Sequence, residues 1–91
     1  MKITIEAKNL LFNRKEKYYI ICNKEMIGTI YSGERKVFDI DMEFIKLYAV
    51  MITRKYFIVS DMIDIKDKEK CILDLYIKNK RCYLKINDRQ L

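Results

Sequence analysis

Polar and apolar positions alternate along most of this chain. KITIEAK, residues 2–8, sets Ile3, Ile5 and Ala7 on one side and Lys2, Thr4, Glu6 and Lys8 on the other, the period of two that makes a strand buried on one face. KYYIICN, residues 17–23, resumes that alternation, and in RKVFDID, residues 35–41, Phe38 and Ile40 point opposite to Val37, Asp39 and Asp41. FIKLYAVMI, residues 44–52, is apolar at nearly every position, which predicts a central strand covered on both faces. YFIVSDMIDI, residues 56–65, predicts a strand with a bulge or bend near Ser60 and Asp61, because the apolar phase of Phe57 and Val59 resumes imperfectly at Ile63 and Ile65. NLLFNRKE, residues 9–16, has no such period. It reads as a crossing connection that tucks Leu10, Leu11 and Phe12 under the fold, and KDKEK, residues 66–70, reads as a charged turn.

Turn chemistry fixes the register between these segments. Asn23 and Lys24 as the central pair of a tight turn set Ile21 opposite Met26 and Tyr19 opposite Gly28, which predicts the Tyr19 ring folded over backbone that glycine leaves bare. Gly33, in YSGE, falls in the next reversal, where positive φ is easiest without a Cβ. In CILDLYIKNKRCYLKIN, residues 71–87, a turn on Asn79 and Lys80 pairs Ile77 with Cys82, Leu75 with Leu84 and Leu73 with Ile86 on one face. The other face then pairs Tyr76 with Tyr83 and Asp74 with Lys85. Agreement of turn, register and both faces makes this the best-specified hairpin of the chain.

The fold class expected is all-β: a small antiparallel β-sandwich of about seven to eight strands forming a single domain over residues 1–91, with an OB-like or other small β-barrel as the alternative. Composition agrees, since isoleucine dominates the apolar set with seven Tyr and four Phe, while glycine is held to two and proline is absent. From Tyr18 to Ser60 the pieces YYIICNKEMIGTIYSGE and the strands after them resemble small bacterial β-sandwich domains of uncharacterised function, of the PEGA type. Asn23-Lys24 stands where that pattern has Asp-Gly, and Asp41-Met42-Glu43-Phe44 replaces its Pro-Gly-x-His corner. The resemblance implies a sandwich with a binding or cell-envelope role, and neither catalysis nor a defined ligand.

Candidate chemistry is thin. With no histidine in the chain, Ser-His-Asp and Cys-His nucleophile arrangements and histidine metal sites are excluded. Cys22, Cys71 and Cys82 are odd in number and lack metal-ligand spacing; Cys71 and Cys82 fall on the inward face of the last hairpin as small core residues, with a bridge between them left open by the sequence. Asp39 with Asp41, and Asp61 with Asp64 and Asp67, read as solvated strand and turn surface rather than paired acids or a calcium loop. No enzyme activity, metal or cofactor is expected.

Charge adds one candidate surface. The chain carries a formal +6, and residues 66–91 hold eight Lys and Arg against four Asp and Glu. Tyr76 and Tyr83, flanked by Lys78, Arg81 and Lys85, set aromatic rings among cations, as a sheet that stacks bases and holds phosphates does; equally, they form a cross-strand pair with lysines guarding the edge. Met62, Tyr31, Ile72, Tyr76 and Tyr83 exceed what so small a core can take in, and exposed aromatics mark interfaces. The function expected is a non-enzymatic protein-interaction module, self-associating or acting as a phage- or mobile-element inhibitor of a host protein. Nucleic-acid binding through the Tyr-bearing hairpin face is the alternative. The start MKITIEAK has no signal-peptide pattern and no apolar run reaches membrane-spanning length, so a cytoplasmic chain without a membrane partner is expected.

Overall fold

Among the described residues nine strands follow the alternation: β1 (Lys2–Ala7), β2 (Lys17–Cys22), β3 (Glu25–Tyr31), β4 (Arg35–Asp39), β5 (Phe44–Ile52), β6 (Phe57–Val59), β7 (Ile63–Lys66), β8 (Lys70–Lys78) and β9 (Arg81–Ile86). The computed structural model describes residues 1–8, 16–52, 54–55, 57–66 and 70–87. The expected crossing connection around Leu10, Leu11 and Phe12, and most of the charged turn at 66–70, lie outside the described residues. Among the described residues no helix is long and apolar enough to cross a membrane.

Two sheets pack face to face. One has the order β4-β1-β8-β9; the other runs β3-β2-β5-β6, with β7 also paired to β5. This is an open sandwich, not a closed barrel. All ladders are antiparallel except β1 with β8, which run parallel from Lys2↔Lys70 to Ala7↔Leu75. Alternation specifies which face of a strand is buried but not which way its neighbour runs, so this departure from a purely antiparallel sandwich was invisible in the pattern. Ile3, Ile5, Leu73, Leu75 and Leu84 of the first sheet meet Tyr18, Ile20, Ile30, Ile45 and Leu47 of the second, all fully or almost fully buried.

The two Asn-Lys turns form as their chemistry requires. Asn23 (φ 48°) and Lys24 (φ 70°), then Asn79 (φ 53°) and Lys80 (φ 64°), hold positive φ at both central positions, the backbone of the hairpin turn that matches strand twist. Asn23 also joins its turn to β5, accepting from the Lys46 N–H at 2.8 Å and donating to the Phe44 carbonyl at 3.2 Å. Gly33 (φ 88°) turns β3 into β4, and its N–H donates to the Ala7 carbonyl at 2.7 Å.

Two expectations are corrected. The first concerns Gly28, which pairs with Ile20, while Tyr19 pairs with Thr29. A register shift between Ile20 and Ile21 makes Ile27 an extra residue on β3, which moves every later partner by one. The aromatic ring over Gly28 belongs instead to Phe38 of the facing sheet, whose Cε1 would stand 2.8 Å from a Cβ at that position. The glycine thus lets β3 and β4 close the side of the sandwich. Second, β5 is covered on one face only. Ile45, Leu47, Ala49 and Met51 are buried, whereas Phe44 and Ile52 are each 60% exposed. The cysteines are small core residues as expected: all three are buried and free, and register places Cys71 beside Ile3 and Cys82 beside Ile77.

The bulge expected near Ser60 and Asp61 divides one strand into β6 and β7, both on the same side of β5, which raises the strand count to nine. Its ladder is mended by a side chain. The Ser60 N–H donates to the Ala49 carbonyl at 2.8 Å, and the Ala49 N–H donates to Ser60 Oγ at 2.8 Å, so the hydroxyl takes the place of a strand carbonyl. The hydroxyl in turn donates to the Asp61 carbonyl at 2.9 Å. Ser60→Ala removes that acceptor and leaves a buried N–H unpaired, and is expected to lower stability in urea unfolding by about 1–2 kcal/mol; an unchanged midpoint would show that the bulge does not depend on the hydroxyl.

Candidate functional site

The hairpin face predicted to bind is assembled as expected in register. Tyr76 and Tyr83 pair directly, with ring centroids 5.3 Å apart and planes 20° from parallel, so each ring presents a face to the other. Lys85 Nζ lies over the Tyr83 ring at 5.6 Å and is tied to Asp61 Oδ2 at 3.1 Å. Lys78 and Arg81 face each other across the tip. Between β6 and β9 lies an open cleft of about 280 Å³ lined by residues including Val59, Asp61, Lys80, Arg81 and Tyr83.

Elsewhere on that sheet's outer surface, charged side chains pair with one another beside a row of Val37, Thr4 and Ile72. Lys8 Nζ reaches Glu6 at 3.2 Å and Asp74 at 3.4 Å, and Arg35 reaches the other oxygen of Glu6 at 3.3 Å. Exposed pairs of this kind contribute little to stability, but they satisfy cations that a phosphate backbone would otherwise recruit.

The opposite outer surface, on the five-stranded sheet, is of another kind. Strand phase and register set its residues in rows across the strands. One row runs Thr29, Tyr19, Val50, Val59, and the next runs Met26, Ile21, Tyr48. A flanking row carries Tyr31 beside Lys17 and Ile52 beside Phe57. Phe57 is 69% exposed, Met26 60% and Met62, just past the bulge, 58%. Two lysines hold their ammonium groups over rings of this face: Lys17, within the flanking row beside Tyr31, has Nζ 5.2 Å from the Tyr19 centroid and 5.9 Å from that of Tyr31, and Lys66, paired with Phe44, has Nζ 5.3 Å from that ring.

Four strands by three rows span roughly 19 by 20 Å at ordinary strand spacing, about 400 Å² of flat footprint. Apolar patches of that size on soluble domains commonly serve recognition. Sequence reasoning flagged Tyr31 and Met62 but missed the face as a whole. The signal was present in KYYIIC and FIKLYAVMI, apolar in both strand phases. A strand with that pattern is either covered twice inside the protein or left with one apolar face outside it, and alternation cannot separate the two.

Chemistry elsewhere stays inward. Burial pushes the Cys82 thiol up to about 11, with the Asp61 carboxylate adding to the shift, and Cys22 moves upward by burial and then by Glu25. Tyr18 is raised well above the ordinary phenol range, first by burial, then by Cys82 and Glu16. These are poor nucleophiles at neutral pH. Asp39 and Asp61 are exposed, each facing a cation, the amino terminus at 3.9 Å and Lys85 respectively; Asp67 lies outside the described residues. Among the described residues no group of three His, Cys, Asp or Glu is placed to hold a metal ion. Comparison of the chain with protein-family models, with curated proteins and with solved structures finds no match, so the geometry alone carries the functional reading.

Proposed function

We propose that this chain is a non-catalytic protein-interaction domain that docks through the outer face of its five-stranded sheet. One observation carries the proposal: the two outer faces of the sandwich differ in their share of charge. The four-stranded sheet turns out Lys2, Glu6, Arg35, Asp39, Asp74 and Lys85 around Val37, Ile72, Tyr76 and Tyr83, whereas the five-stranded sheet turns out Tyr19, Ile21, Tyr48, Val50, Ile52 and Phe57 around Lys17. A sheet with only one face to bury needs a polar second face, so an aromatic and β-branched second face is extra to the demands of the fold. Tyr, Phe and Met are the residues enriched at interface centres, with polar residues at the rim.

The test is a photocrosslinker placed at single sites in the chain expressed in its own cells. A benzophenone side chain in place of Phe57 is expected to capture a protein, which can be a second copy of the chain, whereas one in place of Val37, exposed on the opposite sheet, is expected to capture none. Equal capture from both positions, or none from Phe57, overturns the assignment of this face.

A further inference from the structure

Independently of the docking face, we infer that the open side of the sandwich between β6 and β9 takes an extended acidic peptide segment of a partner protein, which adds as a strand to the edge of β9 with its carboxylates beside the Asn79-Lys80 turn.

The two long sides of the sandwich are finished differently. Along β3 and β4 the Phe38 ring covers Gly28, and Lys36 Nζ crosses to donate to the Thr29 carbonyl at 2.9 Å. The inward residues there, Ile30, Phe38 and Ile40, are all buried. Along β6 and β9 the same inward phase is left open. Ile58, Ile63 and Ile77 are only half-buried, and Ile86, opposite the buried Leu73, is 41% exposed. The cleft of about 280 Å³ lies on this side, with Ile58 in its lining. Apolar side chains left uncovered along a strand edge are what the alternate side chains of an added strand cover.

The backbone of that edge is open as well. The Asn87 N–H donates to the Ile72 carbonyl at 2.8 Å, and bonded pairs recur at every second residue of an antiparallel ladder. Arg81, Tyr83 and Lys85 therefore turn their backbone groups toward β8, while Cys82, Leu84 and Ile86 turn theirs away from it. Among the described residues those outward groups meet no hydrogen-bond partner. Their spacing matches an extended peptide backbone and not a chain of phosphates. Lys85 crosses this edge to reach Asp61 at 3.1 Å, but both side chains are about half exposed, so that bridge opens at little cost.

Charge sets the chemistry of the segment. Lys78 and Arg81 stand directly opposite each other at the hairpin tip, a like-charge pairing that is destabilising, and Lys80 adds a third cation in the turn. Among the described residues none of the three has a carboxylate partner. Asp61, the one carboxylate in the cleft lining, is already held by Lys85. Acidic side chains on the outer phase of an added strand fall beside Arg81 and offset the repulsion between these cations.

The experiment screens the full chain against an immobilised library of octapeptides that carry Glu at alternate positions and varied apolar residues between them, then measures the best binder by fluorescence anisotropy. Binding is expected, and Lys80→Glu with Arg81→Glu should weaken it at least about tenfold. Both residues are exposed, so the urea midpoint of the doubly substituted chain checks that the fold is kept. Strand addition uses the amides of every second peptide residue. N-methylation of alternate peptide residues should therefore abolish binding in one phase and spare it in the other, a reading made on the native chain. No binder in the library, or affinity untouched by the charge reversals, overturns the inference. Binding retained in both methylated phases leaves charge attraction alone and overturns strand addition. A single-stranded oligonucleotide of equal charge that binds more tightly than the peptide places a phosphate polymer at this edge and overturns the peptide. Capture at Phe57 reads the other surface, so the two proposals fail separately.

Discussion

Taking the domain from about pH 8 to about pH 10.5 should remove roughly 3 kcal/mol of its unfolding free energy. The sign follows from proton counting. In the folded chain the Cys82 thiol keeps its proton up to about 11 because it is buried and faces Asp61, whereas an unfolded thiol releases it near 9. Between those values the unfolded state binds fewer protons, so stability is intact below about pH 9 and falls as the pH climbs toward 11, by about 1.4 kcal/mol per unit for each such group. Tyr18 is displaced in the same direction by burial, and its phenol begins to favour the unfolded chain above about pH 10. Cys22 adds to the slope. Urea unfolding with reductant at the two pH values reads the difference. Tyr18→Phe should flatten the alkaline part and also raise stability at pH 8 by about 1 kcal/mol, because Tyr18 Oη is buried with no hydrogen-bond partner among the described residues. A flat pH profile would mean that neither Cys82 nor Tyr18 is shielded as described.

Leu75→Ala is expected to cost about 3–5 kcal/mol, enough to lower the melting temperature by well over 10 °C in a domain of this size. Leu75 is fully buried, and register sets it between Ala7 of β1 and Leu84 of β9. Its neighbours are held from several sides: the Lys8 N–H donates to the Leu75 carbonyl at 2.8 Å, and β8 is paired along both edges. Strands fixed in that way cannot close over the space a lost isobutyl group leaves. Ile86→Ala, on the end of the same hairpin and 41% exposed, should cost less than about 1 kcal/mol. Both are compared with the native chain at one protein concentration. Equal losses at the two positions would place the centre of the core elsewhere.

Local codes were legible in the sequence and long-range ones were not. The β8–β9 register emerged pair by pair, because the Asn79-Lys80 turn and a single apolar phase on each strand leave one alignment possible. Phe38 and Ile40 inward with Val37 and Asp39 outward followed from the same rule. The Ser60 bulge was visible as a phase slip, but the β3 bulge at Ile27 was hidden, because Met26, Ile27 and Ile30 let an apolar residue fall on either face. That hidden slip misplaced the ring over Gly28. The candidate site was read only in part: a cross-strand Tyr pair could be located but not its ring geometry, and an apolar outer face looks in sequence like a second covering layer.

The parallel pairing of β1 and β8 bears on the order in which the protein can form. Hairpins β2–β3 and β8–β9 close from neighbouring residues, but β1 has no parallel partner until Cys71 has arrived beside Ile3 and Leu73 beside Ile5. During synthesis the first strand therefore waits through nearly the whole chain, and only its antiparallel edge with β4 is open to it before then. Non-local pairing of this kind is slow to nucleate, so the four-stranded sheet should be the last part to set. Until it does, the five-stranded sheet exposes both apolar faces at once, which makes that interval the one in which nascent chains are most prone to aggregate.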